Sequence, residues 1–357
     1  MLRSNLLLVL VAVLLVSGLF VGCAPGGPTA EKPIVWRFNG TIGVPPVIYA
    51  QDNEWPVMAE MIRTGTDGRL DVELHYASSL GFKGPELLSV VGDGLVEMSE
   101  IWWSWVAVQE KFFEITDFYR LTKNIDETQA VMTALRPMVE EVCDEWDVVL
   151  WAYYNKCGFQ SVWFLNKEIN SVQDLQGIKV RTYGPILAKA IMEPAGLTPV
   201  FMSWADAVPA LKTGVVDGIN TGLDSGHAAG ITELVKYAYN VTPWGAIIPC
   251  AVIISKQHLE ALPKDLQDQV MNIGKRFEDR LWQVGRAPEK FGYYSYDAVL
   301  KMINEAGCEV LDLPPDAYEA IDTGMMKELD AWIAAGDDRQ KEAAAIVLDT
   351  LKQVRGG

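Results

Sequence analysis

The sequence predicts an α/β fold of two lobes built on mainly parallel sheets, and three observations point there. Stretches of strand type and stretches of helical period alternate along almost the whole chain, the pattern of βα units. The 357 residues exceed the roughly 250–300 that a single core usually holds. The block from Gly158 to Asn240 reads as an α/β unit of its own, from which the chain returns to the first unit through Ala246–Ser255. Crossing more than once between lobes makes a hinge, and closure about it is the expected motion.

From the start, Met1 to Asn5 carries a single positive charge, followed by an apolar run from Leu6 to Val16 and then Ser17-Gly18-Leu19-Phe20-Val21-Gly22-Cys23. A basic start, an apolar stretch and small residues before a cut describe a secretory signal peptide over residues 1–22. The run is shorter than the roughly 20 residues a membrane span needs. Gly22-Cys23 resembles the end of a bacterial lipobox, with Phe20 where leucine is usual, so Cys23 is the expected lipidation site; an ordinary signal peptide cut nearby is the alternative. Residues 23–33, rich in Pro and Gly, read as the tether.

Ile34–Phe38 reads as a strand. Trp55, Met58, Ala59 and Ile62 then fall on one face of a helix. After the turn at Asp67-Gly68, Leu70, Val72, Leu74 and Tyr76 alternate with polar residues as in a half-buried strand. A helix is expected near Pro85, a favoured first helical position. Strands follow at Leu150–Tyr154, Gln160–Leu165 and Ile178–Arg181, with Gly184-Pro185 opening the next helix. Ala205–Lys212 is a short helix, Ile247–Ser255 an apolar strand, and Leu262 to about Phe291 a long helix.

Half of the residues are hydrophobic, which excludes extended disorder beyond the tether. A net charge of −17 excludes nucleic acid as a partner. It also means that an anionic ligand meets an unfavourable field and needs a local cation. The chain has no Gly-x-Ser-x-Gly, Walker loop, Gly-x-Gly-x-x-Gly or His-Glu-x-x-His. No cofactor, metal or catalytic residue is therefore expected, and His75, His227 and His258 read as structural or solvated. Cys143, Cys157, Cys250 and Cys308 lack metal-ligand spacing; a Cys143–Cys157 disulfide and buried free thiols both remain open.

Three stretches carry a resemblance. They are Thr66-Asp67-Gly68-Arg69-Leu70 with Leu80-Gly81-Phe82-Lys83-Gly84-Pro85-Glu86-Leu87; Ser171-Val172-Gln173-Asp174-Leu175-Gln176-Gly177-Ile178-Lys179-Val180-Arg181 with the run from Trp204 to Gly218; and Ile253-Ile254-Ser255-Lys256 with Leu262-Pro263. In this order they resemble the extracytoplasmic solute-binding subunits of tripartite ATP-independent periplasmic (TRAP) transporters. The resemblance implies a two-lobe periplasmic binding protein fold and a long lobe-spanning helix. It also implies a carboxylate-bearing ligand between the lobes and delivery to a sodium-coupled membrane permease. The expected division is lobe I over residues 34–156 and about 246–262, and lobe II over 157–245 and about 300–325. The long helix then covers 263–291, and C-terminal helices cover 326–357.

The family's ligand arginine falls on Arg181. It ends a strand before a helix opening at Pro185, where ligands of α/β sheets collect and a helix N-terminus favours an anion. From spacing alone, a surface arginine paired with an acid would read equally well. A further arginine of many relatives is replaced by Gln160, which argues for a single carboxylate. Asn220-Thr221 stands where relatives often show Glu-Asn, and Trp204 occupies the aromatic stacking position. Trp102 and Trp105 should face the cleft and Trp103 should point away, core packing being the other reading for any tryptophan. Asn39 completes the expected ligand set. The chain thus reads as an exported, lipid-anchored receptor for a small monocarboxylate with an apolar or aromatic body, not an enzyme. An exported hydrolase or lyase using paired carboxylates, which leave no short signature, and a ligand-sensing subunit of a receptor are the alternatives.

Overall fold

The computed structural model describes residues 32–41, 50–156, 161–202, 204–242 and 248–356. Eleven strands among them form two sheets. The first contains β1 (Ile34–Asn39), β2 (Leu70–His75), β3 (Met98–Trp102), β4 (Val148–Asn155) and, much later in the chain, β10 (Pro249–Ser255), in the order β2-β1-β3-β10-β4. The second contains β5 (Ser161–Leu165), β6 (Lys179–Thr182), β7 (Thr198–Phe201), β8 (Gly218–Gly222), β9 (Tyr237–Asn240) and β11 (Glu309–Asp312), in the order β11-β9-β5-β8-β6-β7. We call these sheets and the helices on them the first and second lobes.

Each sheet is parallel except for one reversed strand. β10 runs antiparallel to β3 and β4, and β5 runs antiparallel to β8 and β9. The reversal follows from the crossings. β4 and β9 each leave their sheet at the same edge, so the chain enters the other lobe at the edge facing the one it left, and β5 and β10 must run away from it. The crossings themselves, residues 157–160 and 243–247, lie outside the described residues. The carboxyl ends of β1, β3, β4, β6, β8 and β9 therefore point toward one another, the edge where α/β sheets hold ligands.

Five long helices cover the sheets. α1 (Trp55–Gly65) buries Trp55, Met58 and Ile62, the face its sequence period predicts. α2 (Ile125–Glu145) starts where Asn124 accepts a hydrogen bond from the Glu127 N–H, which satisfies one of the orphan donors of its first turn. α3 (Lys264–Arg286) lies against β4. The approach is close because Gly274 has no side chain: a Cβ there would stand 2.6 Å from the Trp151 carbonyl oxygen. Trp151 in turn donates to the Val270 carbonyl at 2.8 Å. The helix was expected to reach Phe291 but stops at Arg286. Ala287, pushed out of helical geometry (φ −150°), precedes Pro288, whose ring disfavours that geometry in the preceding residue.

α4 (Pro315–Ala335) starts earlier than the expected C-terminal helices and touches both lobes. Gly324 lets it approach Pro194 of the second lobe, where a Cβ would stand 2.2 Å from the proline ring. On the other side its Trp332 donates to Glu114 at 2.7 Å and its Asp322 pairs with Arg120 at 2.5 Å. α5 (Asp338–Val354) opens with Asp337 and Gln340 capping each other's backbone and packs on α2 through Arg339–Glu145 and Arg355–Glu127 ion pairs. No helix among the described residues is long and apolar enough to cross a membrane.

Candidate functional site

The second lobe brings Arg181 to the facing edges at the end of β6. It is 4 % exposed, and no carboxylate among the described residues pairs with it. Its Nε donates to the Met202 carbonyl at 3.2 Å, which holds the side chain and leaves its terminal nitrogens without a hydrogen bond among the described residues. Burial alone lowers its pKa to about 10, because removing water penalises the charged form. The guanidinium carbon lies 5.5 Å from the Trp204 ring and 5.9 Å from the Tyr183 ring, within cation–π range. On the same edge Asn220 is buried, with Oδ1 accepting from the Ser161 hydroxyl at 3.2 Å and Nδ2 unpartnered. The Thr182 hydroxyl is unpartnered as well. This face offers donors.

The first lobe offers something different. Lys156, one residue beyond β4, is fully buried with its ammonium 2.6 Å from both Asp52 Oδ1 and Glu100 Oε1. Glu100 also accepts from the Trp102 indole at 3.2 Å, the Tyr154 hydroxyl at 3.1 Å, and both the N–H (3.2 Å) and hydroxyl of Thr41. Burial pushes the Glu100 pKa up, but Lys156 and Thr41 outweigh it and hold the carboxylate below its usual range. Asp52 lacks that support. Burial raises it to about 7 against the pull of Lys156, with Glu100 and the second lobe's Asp224 adding to the rise. The turn that carries Asp52 is fixed by its neighbours: Glu54 pairs with Arg280 of α3 and accepts from Tyr293 at 2.8 Å, and Gln51 donates to the Asn155 carbonyl at 3.3 Å. Asn39 donates to Ser99 at 3.2 Å while its Oδ1, Gln51 Oε1 and Asp52 Oδ2 find no hydrogen-bond partner among the described residues.

Trp102 stacks on Trp105 with centroids 4.8 Å apart and planes 4° from parallel, and the Lys156 ammonium stands 4.5 Å from the Trp102 centroid. Trp103 points the other way, fully buried against Phe113. Where the lobes meet, Asp117 is buried beside Gly184, 3.5 Å from the position a Cβ would take there. Burial first, and Glu114 second, raise its pKa to about 7.

Of the expected ligand set, Arg181, Trp204 and Asn220, with half-buried Thr221, gather on the second lobe, and Trp102, Trp105 and Asn39 on the first. Gln160 and Cys23 lie outside the described residues. Cys143 is a buried free thiol, and its expected partner Cys157 lies outside them too. Sequence reasoning missed Lys156, Asp52, Asp117 and the part played by Glu100. One part of the rule that singled out Arg181, a charge at the end of a strand, applies to Lys156 as well. No cluster of metal-ligating side chains exists among the described residues.

The family model described as "Bacterial extracellular solute-binding protein, family 7" (DctP) matches residues 48–334. The C4-dicarboxylate-binding periplasmic protein DctP of Rhodobacter capsulatus is 26% identical over 244 residues, 67% of this chain and 70% of that protein. Among solved structures, DctP7 of Bordetella pertussis, an extracytoplasmic solute receptor binding pyroglutamic acid, superposes with a TM-score of 0.76 at 22% identity, covering 89% of this chain and 99% of its own. A TRAP periplasmic solute binding protein of Desulfovibrio desulfuricans with bound sn-glycerol-3-phosphate gives 0.76 at 16% identity, covering 90% and 97%.

Proposed function

The chain belongs to the bacterial extracellular solute-binding protein family 7, and from that premise we propose that it captures a small monocarboxylate between its lobes and delivers it to the membrane permease of a TRAP transporter. One observation carries the ligand class: Arg181 is a buried guanidinium that no carboxylate among the described residues meets. A guanidinium holds a carboxylate through two parallel hydrogen bonds, each worth about 1.5–3 kcal/mol when charge-assisted. The unpartnered Asn220 Nδ2 on the same edge is a further donor for it.

A second carboxylate would not find Lys156 open to it, since that ammonium is taken by Glu100 and Asp52. Burying it unpaired costs several kcal/mol. Trp204, Tyr183 and the Trp102–Trp105 stack suit a flat or apolar body. Pyroglutamate, the ligand of the Bordetella receptor, is such an acid: one carboxylate on one ring. In a thermal-shift screen, ring-bearing or branched monocarboxylates should raise the melting temperature more than succinate or malate, because stabilisation follows affinity. Stabilisation by C4-dicarboxylates alone would overturn the ligand class and leave the receptor role standing.

The tether completes the proposal. Cys23 becomes the lipidated N-terminus, as Phe20-Val21-Gly22-Cys23 suggests, and holds the receptor at the membrane surface. Cys23→Ser should move the protein from the membrane to the soluble fraction. An intact mass that fits an unmodified N-terminus would remove the anchor.

A further inference from the structure

The two faces of the cleft carry unmet hydrogen-bonding capacity of opposite kinds. On the second lobe the unmet groups beside Arg181 among the described residues are donors, its own terminal nitrogens and Asn220 Nδ2, with the Thr182 hydroxyl able to donate or accept. On the first lobe they are acceptors: Asn39 Oδ1, Gln51 Oε1 and Asp52 Oδ2, each on a fully buried side chain. Buried polar groups are nearly always satisfied, and a native orphan calls for a missing partner. A simple carboxylate answers the second lobe and leaves the first unanswered. We propose that the ligand is a zwitterion, its carboxylate taken by Arg181 and its cationic nitrogen lodged against Asp52 of the first lobe. This deepens the monocarboxylate reading and rests on it.

The charges agree with the hydrogen bonds. Around Asp52 stand Lys156 and Glu100 from its own lobe and Asp224 from the other, with the Tyr154 hydroxyl close by. Two carboxylates, Asp52 and Glu100, thus share one ammonium, Asp224 adds its negative field at Asp52, and a further positive charge relieves the set. Glu100 is already saturated by Lys156, Trp102, Tyr154 and Thr41, so the open acceptor is Asp52 Oδ2. The Trp102 face, already 4.5 Å from an ammonium, favours cations as ring faces do. No carboxylate among the described residues forms an ion pair with Arg181, whereas Asp52 and Glu100 are paired with Lys156.

Matched pairs decide the matter. Calorimetry at pH 7 would compare L-phenylalanine with 3-phenylpropanoate and L-proline with cyclopentanecarboxylate, in the parent protein and in Asp52→Asn. The parent should bind the amino acid of at least one pair ten-fold or more tighter than its deaminated partner, and Asp52→Asn should bring that ratio toward one. Should the variant fail to fold, the ratio in the parent decides alone. Deaminated acids binding as tightly as the amino acids would overturn the zwitterion while leaving carboxylate capture intact. Pyroglutamate, whose ring N–H is neutral, binding more tightly than proline would likewise overturn the cation. If none of these compounds binds, the monocarboxylate reading fails and the zwitterion with it.

Discussion

Each lobe buries a cation at the cleft, and the two are treated in opposite ways. Lys156 lies between two carboxylates at 2.6 Å each, whereas Arg181, 4 % exposed, meets among the described residues only a carbonyl oxygen and ring faces. The first cation is compensated within the protein and holds the first lobe's edge together. The second is left in deficit, a state worth keeping only if something outside the chain fills it. Burial alone therefore does not mark a ligand-binding charge; burial without an internal partner does.

The sharpest break of this comparison is to remove each charge with the same apolar side chain. Lys156→Met strands Glu100 and Asp52 without their cation and should cost about 3–5 kcal/mol in urea unfolding. Arg181→Met should leave the ligand-free protein as stable or more so, because a desolvated unpaired charge disappears. The same variant should weaken carboxylate binding at least ~100-fold, the loss of two charge-assisted hydrogen bonds. Equal destabilisation by the two variants would erase the distinction.

A second test uses an unpaired buried charge of the other sign. Asp117 makes no hydrogen bond among the described residues, and burial raises its pKa to about 7. Its folded value lies above its unfolded value, so the native state binds more protons between about pH 4 and pH 7 and stability falls as pH rises through that window. Asp52, raised to about 7 by burial, adds to the same slope. Asp117→Asn should flatten the profile and stabilise the protein above pH 7 by about 2–4 kcal/mol. A profile identical to the parent's would mean that Asp117 is not desolvated as described.

The smallest effect concerns the rings. Trp204 is 44% exposed and supports no core, so Trp204→Ala should leave stability nearly unchanged. Affinity for ring-bearing ligands should drop by about 0.5–1.5 kcal/mol. A loss of stability on the scale of a buried tryptophan would instead make Trp204 a packing residue.

Much of this was legible in the sequence where the signal is local. The period of Trp55, Met58 and Ile62 gave α1 its buried face, and Arg181 was singled out because a motif and a strand end coincide. Lys156 went unread because its meaning depends on Asp52 and Glu100, which come from distant parts of the chain and meet only through the order of the first sheet. The same order hid β10: its apolar run reads as a strand, but nothing local says that it lies between β3 and β4. Helix ends were blurred for a nearer reason, as the stop at Arg286 is written in Pro288 rather than in the helix's own period.

The place of β10 has a consequence for how the molecule comes into being. Until Pro249–Ser255 arrives, β3 and β4 have nothing between them, and each presents an unpaired edge open to wrong partners. The strand that closes the gap follows the whole of β5 to β9 in the chain, so the first sheet, begun first, stays open until most of the second has been made. Pairings between such distant segments form slowly, because a long loop must close before any contact rewards it. The two lobes are therefore bound to a shared folding schedule, in which the last strand of the first sheet waits on the synthesis of β5 to β9.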